Sequence, residues 1–167
     1  MSINGINSNG DGTNGLTLDS KERRLMCRGV RGATTVTSNN RDEILEATRE
    51  LLTMLVRVNK IDIDEVASIY LTTTEDLDAT YPAFAARQLG WFDTALLCGH
   101  EMVVPDGLPF CIRVLVHWNT TKMPAEIGHL YLRNAKSLRP DLHNIPPIRP
   151  VQMNNLDAAM KVLAQNK

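Results

Sequence analysis

Ile44, Leu45, Thr48, Leu51, Leu52, Leu55 and Val56 recur at the three- and four-residue spacing of one helix face. Just upstream, Asn40 can cap the helix. Asp42 and Glu43 then stand where the positive end of the helix dipole favours acids. The pattern predicts a long amphipathic helix that ends near Asn59, with its leucine stripe in the core. The segments that read as strands outnumber it: they lie near 25–36, 66–74, 94–101, 110–119 and 129–132. One long helix cannot cover both faces of a five-stranded sheet. The face left over must be buried by something else, and self-association into a closed ring is a natural answer. The expected fold is therefore α/β in element order, α+β in layering, with a mixed five-stranded sheet.

The connections are legible too. Tyr81-Pro82-Ala83 opens a second, shorter helix, with Pro82 in the first turn, and Gly90 closes it. Pro105-Asp106-Gly107 is a turn, and residues 124–128 read as a single helical turn. In the first strand Gly29 and Gly32 predict close backbone approach. Arg28 and Arg31, three apart, should face opposite sides of it. Residues 1–24 are rich in Asn, Gly, Ser and Asp and are expected to be a disordered tail. The folded domain is expected over 25–142, followed by a Pro-containing extension at 143–167 with a weakly amphipathic stretch, 156–163.

Composition excludes several classes of function. A net charge of -1 from 18 basic and 19 acidic residues leaves no nucleic-acid footprint and no polybasic membrane anchor. No apolar stretch is long enough to span a bilayer, and residues 1–20 lack the pattern of a secretory signal. Cys27, Cys98 and Cys111 are odd in number, widely spaced and set in apolar stretches, so they are expected to be free thiols of a cytoplasmic core. His100, His117, His129 and His143 show no ligand spacing, and no metal site is expected.

Arg113 stands in the middle of Cys111-Ile112-Arg113-Val114-Leu115-Val116-His117-Trp118, which otherwise reads as a buried strand. A guanidinium stays charged and is costly to bury unpaired. Glu101, twelve residues upstream, ends another apolar run and is the natural partner. Two readings remain open on these residues alone: a structural ion pair, or a polar pocket for a charged small molecule.

Several separate blocks carry a resemblance. Arg28-Gly29-Val30-Arg31-Gly32-Ala33-Thr34-Thr35 opens the domain, and Thr72-Thr73-Thr74-Glu75-Asp76-Leu77 precedes Tyr81-Pro82-Ala83 and Arg87. Cys98-Gly99-His100-Glu101-Met102 precedes Cys111-Ile112-Arg113-Val114, and Tyr131-Leu132 and Leu138-Arg139-Pro140-Asp141-Leu142 follow. From about Cys27 to Leu142 the chain resembles the small, monofunctional AroH-class chorismate mutases. The resemblance implies a homotrimeric pseudo-α/β barrel that converts chorismate to prephenate in phenylalanine and tyrosine biosynthesis. It implies active sites between subunits, and neither metal nor organic cofactor.

By motif position the resemblance implies that Arg113 faces the breaking ether oxygen and a substrate carboxylate. Glu101 would accept from the ring hydroxyl, Arg31 and Tyr131 would bind a carboxylate, and Cys98 would line the pocket beside the hydroxyl. Tyr81 and Arg87 would come from the neighbouring subunit, Leu138 and Arg139 would close the mouth, and the backbone at Leu96 and Leu97 would form the floor. The chain departs from the usual pattern in carrying Phe84 where the family has a lysine, and in a segment between Arg87 and Trp91 one residue shorter. Two alternatives stand beside this reading: a trimeric imine deaminase of similar architecture, and a non-catalytic metabolite-binding trimer.

Overall fold

The computed structural model describes residues 24–140; the expected N-terminal tail, apart from Arg24, and the expected C-terminal extension lie outside them. The strands are β1 (Met26–Thr35), β2 (Val66–Thr73), β3 (Ala95–His100), β4 (Cys111–Thr120) and β5 (Leu130–Tyr131). Two helices, α1 (Arg41–Asn59) and α2 (Ala83–Gln88), and short 3₁₀ turns at Ile63–Glu65, Pro124–Glu126 and Arg133–Leu138 complete the described residues. No helix among them is long and apolar enough to cross a membrane.

Helix α1 begins where the sequence places it. Asn40 is extended, and its side-chain oxygen accepts from the backbone N–H groups of Asp42 and Glu43 at 2.8 and 3.3 Å. Glu43 reaches back to the backbone and hydroxyls of Thr37 and Ser38, bonds that lower its pKa, the Thr37 hydroxyl most. Lys60 ends the helix in the left-handed conformation at φ 55°.

The sheet order is β3-β2-β4-β1-β5. β4 runs antiparallel to both β1 and β2, whereas β2 and β3, and β1 and β5, pair in parallel. β3 and β4 follow one another in sequence but do not pair, because β2 lies between them. Alternation assigns the two faces. Val30, Leu71, Val114 and Val116 pack with Leu51, Leu52 and Leu55 of α1, and full burial of such a side chain is worth roughly 1.5–3 kcal/mol. Gly32 permits the close approach, since a Cβ there would stand 2.9 Å from Leu55 and 3.0 Å from Leu51.

The opposite face is open over much of its area. β4 is therefore not buried on both sides: Ile112, Val114, Val116 and Trp118 are buried, while Arg113, Leu115, His117 and Asn119 are only partly covered. The turn Arg133–Leu138 covers one end of this face, packing a fully buried Ala135 against Ala33 and Cys111. Elsewhere Tyr70 and Leu97 stay exposed. The thiols also differ from expectation. Cys111 is buried and Cys98 half-buried, but Cys27 is exposed, because it lies near the start of β1, opposite Asn119 and beyond the helix-covered core.

Candidate active site

The open sheet face holds a cleft of about 370 Å³, lined by Arg31, Tyr70, Thr72, Glu101, Arg113 and Leu115, with Tyr131, Leu138 and Arg139 at one side. Register explains the grouping. Ala33 stands opposite Arg113, Arg31 opposite Leu115, and Thr72 opposite Arg113 from the other flank. Side chains two apart on a strand share a face, so β1, β4 and β2 point these residues into one space. Arg28, on the other parity, leaves the cleft and donates to the carbonyl of Lys122 at 3.1 Å.

The Arg113–Glu101 pair forms at 3.1 Å, with the two side chains 38% and 25% exposed through the cleft. The guanidinium is thus partly accessible through the cleft rather than sealed in the core. Its Nε has no hydrogen-bond partner among the described residues. The second oxygen of Glu101 accepts from the Thr72 hydroxyl. Burial pushes the Cys111 thiol, two residues along β4, above its usual range; a hydrogen bond to Arg113 opposes this.

Tyr131 sits on β5 beside β1. The guanidinium of Arg139 stacks over its ring at 5.9 Å from the centroid. The turn that carries Leu138 and Arg139 is tied down upstream. Arg133 donates to the Thr35 carbonyl at 3.0 Å and to Glu50 at 2.8 Å. His129 accepts the backbone N–H of Arg31 through Nδ1 at 3.1 Å, so it is neutral with its proton on Nε2. Burial, then the charges of Arg31 and Arg139, lower its pKa.

Three guanidinium groups and one carboxylate line the cleft, a formal excess of two positive charges. That balance suits a small dianion. The arrangement can orient and polarise such a ligand, but the buried Cys111 thiol near it, its pKa raised by burial, is not set up as a nucleophile. Among the described residues no group of three or more His, Cys, Asp or Glu side chains is placed to hold a metal ion.

Cys98, Tyr81 and Arg87 do not join this cleft within one chain. Cys98 pairs with Leu71 in register and so faces the helix side of the sheet. There it lines a second cleft, of about 570 Å³, with Tyr81, Phe84 and His100. Burial pushes its thiol up, against a backbone hydrogen bond at Ala83 and the charge of Arg87. Within one chain Cys98 and Glu101 therefore stand on opposite faces of the sheet. Leu96 packs towards the core and Leu97 is exposed; neither lines the Arg113 cleft.

Comparison with known proteins identifies the family. Residues 27–142 match the family described as chorismate mutase type I. The chain belongs to the type I chorismate mutase family. It is 46% identical over 120 residues to chorismate mutase AroH of Thermus thermophilus, spanning 71% of this chain and 98% of that protein. With chorismate mutase AroH of Bacillus subtilis the identity is 41% over 119 residues, spanning 71% and 94%. The solved structure of a chorismate mutase from Clostridium thermocellum superposes with a TM-score of 0.65 at 47% identity, covering 66% of this chain and 98% of that one. These matches support an isomerase and give no support to the deaminase or the non-catalytic binder.

In this type I mutase, sequence reasoning passed over two polar side chains of the cleft, Tyr70 and Thr72. The signal was present: Ser68, Tyr70 and Thr72 alternate with Ile69 and Leu71, a polar face against an apolar one. Tyr70 also depends on Gly99, where a Cβ would lie 2.6 Å from its hydroxyl.

Proposed function

We propose that the Arg113 cleft is one half of an active site that rearranges chorismate to prephenate, within phenylalanine and tyrosine biosynthesis in the cytoplasm. The observation that carries this reading is three guanidinium groups around one carboxylate, with the Nε of Arg113 still lacking an acceptor among the described residues. Chorismate is a flexible dianion, and its intramolecular [3,3] rearrangement requires no nucleophile. The protein must hold it in a compact chair-like form and stabilise the charge that separates as the ether C–O bond breaks.

In this reading the Arg113 guanidinium faces the breaking ether oxygen and a carboxylate, and stabilises negative charge developing there. Glu101 accepts a hydrogen bond from the ring hydroxyl. Arg31 and the Tyr131 hydroxyl hold a carboxylate, while Leu138 and Arg139 close the mouth.

The second half comes from a neighbouring subunit of a homotrimer. Tyr81, Arg87 and Cys98 enter together, with the backbone at Leu96 and Leu97 alongside. Two observations support this: Tyr81 and Cys98 line the far cleft in their own chain, with the charge of Arg87 acting on Cys98, and the cleft-bearing sheet face is open. Phe84 puts an apolar ring beside Tyr81, 6.4 Å between centroids, on the rim where the family has a cation.

The test is direct. Purified protein is mixed with chorismate, loss of its absorbance is followed, and the product is identified. Prephenate formed faster than in the protein-free control supports the reading; no acceleration overturns it.

A further inference from the structure

Glu101 is held at three points. Its backbone N–H donates to the carbonyl of Thr73 at 2.8 Å, which carries the β2–β3 pairing one residue past the end of β3. Arg113 holds carboxylate oxygen Oε2 at 3.1 Å. Oxygen Oε1 accepts from the hydroxyl of Thr72. Thr72 is 8% exposed and stands between Arg113 on β4 and Gly99 on β3, on the cleft face.

We propose that Thr72 is a positioning residue for Glu101: its hydroxyl fixes Oε1 and so decides which carboxylate lone pairs are presented to the ligand. This rests on the reading of the cleft as a mutase half-site.

The terminal torsion of a glutamate is broad and two-fold. Held by Arg113 alone, the carboxylate could turn about its last bond and exchange its oxygens. Donors on two different oxygens remove that freedom. An ionised carboxylate has about four lone-pair sites, so Thr72 and Arg113 leave one free on each oxygen. The substrate's ring hydroxyl then meets an acceptor whose direction is set before binding. A nearly buried hydroxyl is costly without a partner, and valine would fill the same space in a strand at no such cost. The partner that offsets this cost is Glu101, and a hydroxyl donating to a charged acceptor makes one of the stronger hydrogen bonds.

The experiment compares Thr72→Val and Thr72→Ser with the unmodified protein, measuring kcat and KM for chorismate and the thermal unfolding of each ligand-free protein. Both substitutions at Thr72 are also placed on a Glu101→Gln background. We expect Thr72→Val to lower kcat roughly ten- to hundred-fold with a smaller change in KM, and Thr72→Ser to stay within about three-fold of the parent, since it retains the donor. On the Glu101→Gln background, Thr72→Val should cost little more, in turnover and in unfolding midpoint alike, because the contact is already altered. Normal turnover by Thr72→Val, equal losses in the Val and Ser variants, or full additivity with Glu101→Gln would each overturn the proposal. Failure of the mutase reading shows up separately, as an unmodified protein that does not accelerate chorismate loss. The unfolding cycle then still reports whether Thr72 holds Glu101. Should Thr72→Val not fold, Thr72→Ala takes its place in the same cycle.

Discussion

Cys98 and Glu101 are three residues apart in the chain, yet they serve opposite faces of the sheet. Cys98 points to the helix side, with Tyr81 and Phe84. Glu101 points to the open side, with Arg113. An odd spacing along an extended backbone produces this split. It also divides the run Cys98-Gly99-His100-Glu101 between two clefts, so in the proposed homotrimer one short motif would serve two active sites.

That division predicts complementation. In the proposed homotrimer Arg87→Ala damages the half-site contributed from the α2 side and Arg113→Ala the other. In mixed trimers some interfaces carry both defects and some carry neither. Coexpressed variants, once subunit mixing is verified by differential tags, should be more active than either variant alone. Verified mixed trimers that regain nothing would place the whole site within one chain.

Arg113 should be the most sensitive single position. Arg113→Ala removes the permanent charge proposed to face the ether oxygen, and loss of one such donor is worth about 3–4 kcal/mol in other enzymes. kcat should fall by two to three orders of magnitude, on the order of that energy, while the melting temperature changes little. Arg113→Lys should recover little, because an ammonium cannot reproduce the planar fork. Near-normal turnover by the alanine variant would remove Arg113 from the mechanism.

His129 sets an acid limit on stability. Its folded pKa lies below its ordinary value of 6.5, from burial first and then Arg31 and Arg139. The unfolded chain therefore binds the proton more readily. The stabilisation is complete above about pH 6.5 and is lost as pH falls through the folded value. Thermal unfolding should show a midpoint that drops on moving from about pH 7.5 to about pH 5.5. His129→Gln should flatten that dependence, and an unchanged slope in this variant would assign the effect to other groups.

Gly32 is a packing constraint. A methyl group there would meet Leu55 at 2.9 Å, Leu51 at 3.0 Å and Val114 at 3.1 Å. Gly32→Ala should destabilise the fold by about 1–3 kcal/mol, since α1 must move off the sheet. Denaturant unfolding checks this, and a variant as stable as its parent would mean that the helix yields at no cost.

The elements were written in local pattern. The Asn40 cap, the α1 stripe, the turn at Pro105 and every strand can be read from short stretches, because periodicity and capping are local physics. The pairing of Arg113 with Glu101 was legible as well, since a charge within an apolar run must find a partner. The open sheet face followed from counting strands against helices. The reading of the Arg113 strand as buried holds for the helix-covered face, while its other face is only partly covered, because parity shows which residues share a face and not what lies over it.

The amino-acid sequence by itself determined the elements, the charged pair at the centre of the cleft and the shortage of helix to cover the sheet. Tertiary structure alone decided that β2 lies between β3 and β4, which brings Thr72 beside Arg113 and Glu101. It alone sent Cys98 to the α2 side, and it left Cys27 outside the core. The physical reason is the range of the interactions. Helical spacing and strand alternation act over a few residues. Strand order and register are set by contacts between residues tens of positions apart, as Thr72 and Arg113 are, and no local repeat encodes them.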